Sequence, residues 1–128
     1  MQPLDWFARR GFATTSDIRM AGMNGVRYGD LVFEESFVFA RRGEEELRFT
    51  RQERALLILF TRHPRQLLRR SQILDALNYV GSDSSDRNVD FLVNRLRQKL
   101  NDNARAPRFI ATQYGEGYLW IAVAESLE

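Results

Sequence analysis

With 128 residues, 44% of them apolar, and nine Phe, four Tyr and two Trp, the chain has material for one packed domain and is not a disordered chain. It has no cysteine, which excludes a disulfide scaffold or thiolate metal site and suits a reducing cytoplasm; a single histidine, His63, argues against a His-based metal site or a catalytic triad. The net charge is only +2, but positive charge is concentrated: residues 50–80 carry six basic against two acidic side chains, and Asp86 to Leu100 four against two.

Residues 1–24 hold a short amphipathic stretch, Leu4 to Phe12, broken by glycines. They form an arm or linker whose role is left open between docking, dimerisation and a frayed leader. The N-terminus lacks the apolar core of a signal peptide, and no apolar run has the length of a membrane span.

Val26 to Phe49 reads as short strands: VRYG and LVFE around a Gly29-Asp30 turn, then FVFAR, a turn at Arg42-Gly43, and EELRF. Alternation at Leu31/Phe33 and Leu47/Phe49 predicts an antiparallel sheet with one buried face. Thr50-Arg-Gln-Glu53 is a capping box opening an apolar helix that His63-Pro64 stops. Gln66 to Arg70 is a connector. Ser71 to Asn78 is a second helix, capped by Ser71, with Ile73, Leu74 and Leu77 inward. Tyr79 to Ser85 is a loop.

Ser85 to Leu100 carries the chemistry. At 100° per residue Val89, Val93, Leu96 and Leu100 share one side, the spacing of a core-packing stripe. Arg87, Phe91, Asn94, Arg95 and Gln98 fall opposite. Two arginines, two amides and a central Phe are an unusual solvated face. They suit a DNA major groove, where arginine reads guanine, amides read adenine and an apolar ring meets the thymine methyl. An amphipathic surface helix with one stray Phe is the competing reading of this helix alone. Asn101 to Pro107 is a loop, and Phe109 to Ile121 a hairpin around Gly115-Glu116-Gly117. Residues 123–128 form a tail; its final Leu-Glu has the form of a cloning scar.

Strands, three helices and a hairpin, in that order, predict an α+β fold: a winged helix-turn-helix with an N-terminal antiparallel sheet, a three-helix core and a C-terminal wing, over residues 25–122. Residues 26–121 resemble the effector domain of OmpR/PhoB-type transcriptional regulators of bacteria. The matching stretches are F-T-x-x-E-x-x-L-L at Phe49 to Leu57, H-P at 63–64, D-R-x-V-D at Asp86 to Asp90, R-L-R-x-K-L at Arg95 to Leu100, P-R-F-I-x-T at Pro107 to Thr112, and G-x-G-Y at Gly115 to Tyr118.

The resemblance implies phosphate contacts by Arg87, Arg97 and Thr112, with Arg69, which replaces a small cap residue, as a further one. It implies base reading by Arg95, with Phe91 at a small apolar base-facing position and Asn94 at a polar one. Gln113 and Tyr114 stand at the wing, where many members carry a basic residue for the minor groove; Tyr114 and Glu116 depart from that pattern. Arg97 reads equally as an intramolecular ion pair, and Asp90 as a structural partner of an arginine. Tyr118 and Trp120 read as core. The implied partner is double-stranded DNA, commonly as tandem direct repeats bound by a head-to-tail pair, with an RNA polymerase contact through residues 79–85. No cofactor or metal is implied, nor an enzyme. A receiver domain of ordinary size does not fit in residues 1–24. The implied protein is an orphan regulator or part of a longer, even membrane-anchored, one. The alternative is a winged helix that binds protein rather than DNA, favoured by Phe91, Tyr114 and the small net charge and opposed by Arg87, Arg95 and Lys99 on one helix.

Overall fold

The computed structural model describes residues 25–79 and 86–125. These fall in two compact units, one containing residues 25–48 and 123–125 and the other residues 49–122.

The first unit is a four-stranded antiparallel meander of β1 (Gly25–Tyr28), β2 (Leu31–Glu34), β3 (Phe39–Arg42) and β4 (Glu45–Arg48). Gly29 and Gly43, with φ near +60°, make the two tight turns that link β1 to β2 and β3 to β4. The third strand starts later than its apolar pattern suggests. Phe37 has φ +58° and donates its N–H to the Glu34 carbonyl at 2.8 Å, so residues 35–38 form a turn and the ring folds back on Phe33 at 5.5 Å. The sheet is also not buried on one face only: Leu31, Val32 and Phe33 are all buried. Val32 stands in register between Arg27 and Arg41. Arg41 itself is buried and bonds Glu46 at 2.7 Å. The tail is partly tied down, because Glu125 pairs through its backbone with Arg27 at 2.8 Å.

The second unit opens with α1 (Arg51–Arg62). Its capping box is present: Thr50 Oγ1 accepts from the Glu53 N–H at 3.2 Å, and Glu53 Oε1 accepts from the Thr50 N–H at 2.8 Å. The helix buries Leu56, Leu57 and Phe60 and ends at His63. Next come β5 (Leu68–Arg69), α2 (Arg70–Tyr79), α3 (Asp86–Leu100), β6 (Ile110–Gln113) and β7 (Gly117–Trp120). Helix α2 starts one residue earlier than expected and Ser71 is inside it. Gln72 takes the capping role, its Oε1 accepting from the Arg69 N–H at 2.7 Å. Ile73 and Leu77 face the core, and Leu74 is half-buried.

The three helices pack on one another, and β7 packs on α1. The core comprises Val89, Val93, Leu96 and Leu100, as their spacing predicts, with Leu92 added. Trp120 is fully buried, stacked on Phe60 at 6.1 Å and tilted on Phe109 at 5.7 Å. Each such side chain contributes about 1.5–3 kcal/mol on leaving water.

The wing is a three-stranded sheet rather than a lone hairpin. The short connector strand β5 joins it in the order β5-β7-β6, with Leu68 opposite Tyr118 and Arg69 opposite Gly117. A Cβ at Gly117 would lie 2.1 Å from the Leu68 carbonyl oxygen, so only glycine allows this approach. Helices, connector strand and hairpin together make a winged helix-turn-helix.

Candidate nucleic-acid interface

Helix α3 lies with its apolar stripe inward, and this decides what it presents outward. Phe91 is 60% exposed, and Asn94, Arg95 and Gln98 are exposed beside it. The Arg95 guanidinium lies 5.7 Å from the centre of the Phe91 ring, one turn away. Among the described residues Arg95 has no ion pair or hydrogen-bonded side-chain partner, so its donors remain available. Arg87 falls in the first turn of α3, with its side chain outside the described residues, as are residues 80–85 and 1–24.

The other cations of α3 have different fates. Lys99 is engaged with the buried carboxylate of Glu53 at 2.6 Å and lies over the Phe49 ring at 5.7 Å. It ties α3 to the start of α1 and does not belong to an outward basic field, contrary to the reading that grouped it with Arg95. Arg97 is only 5% exposed. Its Nη2 donates to the Ile110 carbonyl at 2.8 Å and to Thr112 Oγ1 at 2.6 Å. Instead of the expected surface phosphate ligand or ion pair, Arg97 is a brace between α3 and β6. The reason is tertiary: strand β6 runs beside this flank of the helix and offers a carbonyl and a hydroxyl to a guanidinium that burial deprives of water.

That brace bears directly on Thr112. A hydroxyl has one proton to donate and two lone pairs. With one lone pair taken by Arg97, the half-buried Thr112 hydroxyl still has its proton to donate. One row along the sheet, Arg69, Gly117 and Gln113 stand opposite one another. Arg69 and Gln113 are both exposed, two strand spacings apart, or about 9–10 Å. Tyr114 is 81% exposed at the hairpin tip, beside Gly115 with φ +80°.

A second joint sets the angle between α3 and the wing. Asp90 Oδ1 accepts from Arg70 Nε at 2.8 Å and from the hydroxyl of Tyr118. The Arg70 and Arg97 guanidiniums lie 5.6 and 5.5 Å from the Tyr118 ring centre. Burial, and then the bond to Asp90, push the Tyr118 hydroxyl up to about 12. The bond to Asp90 raises Arg70 above its already high ordinary value. Asp90 is thus the structural partner expected, and Arg70, which the sequence did not single out, is the arginine it holds. Asp102 completes the frame, accepting from the N–H groups of Arg108, Phe109 and Ile110 at 2.7, 3.2 and 2.9 Å and so fixing where β6 begins. Its signal in the sequence was an Asp just past a helix end, a common backbone-binding position.

This arrangement is that of a known class. Residues 43–120 match the family described as "Transcriptional regulatory protein, C terminal". The chain belongs to that family, in agreement with the OmpR/PhoB-type resemblance of its motifs. It is 39% identical over 112 residues to the transcriptional regulatory protein GltR of Pseudomonas aeruginosa, an alignment covering 82% of this chain and 46% of GltR. It is 42% identical over 82 residues to AruR of the same organism, covering 64% and 33%. The chain therefore spans less than half the length of these relatives. Among solved structures, the Klebsiella pneumoniae RstA DNA-binding domain, in complex with the RstA box, is 31% identical with a TM-score of 0.64, over 77% of this chain and 97% of that one. The DNA-binding domain of E. coli CadC is similar in fold, with a TM-score of 0.67 at 24% identity, over 79% and 94%.

Proposed function

We propose that the chain is a transcriptional regulator that binds double-stranded DNA sequence-specifically through residues 49–122. Helix α3 enters the major groove, where Phe91, Asn94 and Arg95 meet base edges. Arg69, Arg87 and Thr112 hold phosphates, with Arg97 positioning Thr112, and the wing residues Gln113 and Tyr114 lie along the backbone or minor groove. The observation that carries this reading is the division of labour on α3: Arg97 and Lys99 are engaged inside the fold, while Arg95 stands exposed beside an exposed Phe91, its donors uncommitted among the described residues. A solvated face has no need of that pair, whereas a groove with guanine and thymine edges uses both. The relative RstA, crystallised with its box, supports DNA as the partner.

Further parts of the proposal are a head-to-tail pair of chains on tandem direct repeats and a polymerase contact through residues 79–85. A regulator of this kind works in the cytoplasm; no described helix is long and apolar enough to cross a membrane. The competing reading, a protein-binding winged helix, draws on exposed Phe91 and Tyr114. Selection of duplexes from a random library by the purified chain separates the two. Enrichment of a motif, as a direct repeat one helical turn apart, is the expected result; no binding at low salt would remove the DNA function and leave the protein-binding one.

A further inference from the structure

We infer that the arginine-rich end of the wing sheet is the surface on which a second copy of this chain docks the acidic end of its four-stranded sheet. The inference rests on the DNA-binding reading and assigns the contact that its tandem pair requires. Two segments flank the end of β7. The Arg65 N–H donates to the Trp120 carbonyl at 2.8 Å on one side, and the Ile121 N–H donates to the Phe109 carbonyl at 2.8 Å on the other. The Arg65 and Phe109 backbones therefore stand two strand spacings apart, about 9–10 Å. These segments carry Arg62, Arg65, Arg105 and Arg108, all exposed. Among the described residues the guanidiniums of Arg62, Arg65 and Arg105 have no ion pair or hydrogen bond. The one carboxylate of residues 62–66 and 101–109, Asp102, is occupied by the N–H groups of Arg108, Phe109 and Ile110.

This is not the end of the sheet to which the DNA contacts are assigned. Arg69 and Gln113 stand beside Gly117 at the start of β7, whereas Arg65 stands beside Trp120 at its end, about 10 Å further along the strand. The first unit carries the opposite charge. Its β1–β2 and β3–β4 turns lie at one end of the sheet, where Arg42 bonds Asp30 at 3.0 Å, and there the exposed Asp30, Glu44 and Glu45 outnumber Arg42. An acidic and a basic surface on different parts of one chain make a heterologous contact, which repeats along direct repeats; a two-fold contact instead needs one self-complementary surface. Exposed ion pairs contribute little each, so the contact is too weak to pair free chains. On DNA the neighbouring copy is held at an effective concentration in the millimolar range, where a few such pairs make binding cooperative.

The test uses the full chain, its selected duplex with two half-sites, and the same duplex with one half-site scrambled. Two charge-reversed variants are compared with the parent: Arg62→Glu with Arg65→Glu, and Glu44→Arg with Glu45→Arg. Each variant alone is expected to bind the single half-site like the parent and to lose about three- to tenfold in cooperativity on the double site. An equimolar mixture of the two is expected to recover cooperativity, because the reversed end of either variant meets an unreversed end of the other with opposite sign. The loss should shrink in high salt. Parent cooperativity in both variants, or no recovery in the mixture, overturns the inference while the DNA-binding reading stands. So does selection of a lone half-site, or independent binding of the parent to the two half-sites. Weakening of the arginine variant on the single half-site by the same factor would make Arg62 and Arg65 DNA contacts and overturn it as well. Failure to select any duplex overturns both the inference and the DNA-binding reading.

Discussion

Two arginines, two positions apart on α3, meet opposite fates. Arg95 points out and Arg97 is buried on the Ile110 carbonyl and Thr112. Replacing Arg95 with alanine removes donors that bond no other described residue. Arg95→Ala is expected to keep its melting temperature and to lose preference at one base pair, by a factor corresponding to about 1–3 kcal/mol, in competition binding against single-base variants of the selected site. At Tyr118 the expected effect is on stability. Its hydroxyl, raised to about 12, is protonated in the fold well above the pH at which an exposed tyrosine ionises, about 10. The stability that this difference supplies is complete below about pH 10 and is lost as pH climbs from about 10 to 12. Thermal melts should show the parent chain losing stability across that window more steeply than Tyr118→Phe; parallel curves would show that burial and the Asp90 bond do not raise the Tyr118 hydroxyl. At neutral pH the same substitution should cost about 1 kcal/mol.

At the scale of elements, the wing is anchored by contacts that local pattern does not reveal. Gly117→Ala would drive a Cβ to 2.1 Å from the Leu68 oxygen and force β5 from β7. We expect a loss of about 2 kcal/mol or more in chemical denaturation, with Gly115→Ala, at an open turn with φ +80°, costing less. The capping box, the α3 stripe and the wing hairpin were legible because each is a short-range pattern: a pair three residues apart, a 3.6-residue period, an alternation around glycines. Strand β5 was not, since two residues show no period. The FVFAR run read as strand because its residue types favour strands, yet Phe37 takes a left-handed turn to put its ring on Phe33. The burial of Arg97 depends on residues 13 and 15 positions away in sequence, beyond any helical wheel. The base-facing candidates Phe91, Asn94 and Arg95 were legible as exposed, because an inward stripe fixes the outward face.

For the whole molecule, a net charge of +2 says little about a polyanionic partner, whereas the uneven placement of arginine says more. Every candidate DNA contact lies within residues 49–122, on α3, at the end of β5 and on the wing. The account separates base readers from phosphate holders, and the two have different signatures in salt. The most direct measurement is binding of the parent chain, Arg95→Ala and Arg69→Ala to the selected duplex and its single-base variants across a salt series. The account predicts that Arg69→Ala weakens all duplexes alike and lowers the salt slope by about one. It predicts that Arg95→Ala flattens discrimination at one base pair. Uniform weakening by Arg95→Ala, with every base preference intact, would contradict the assignment of α3 as the reading helix.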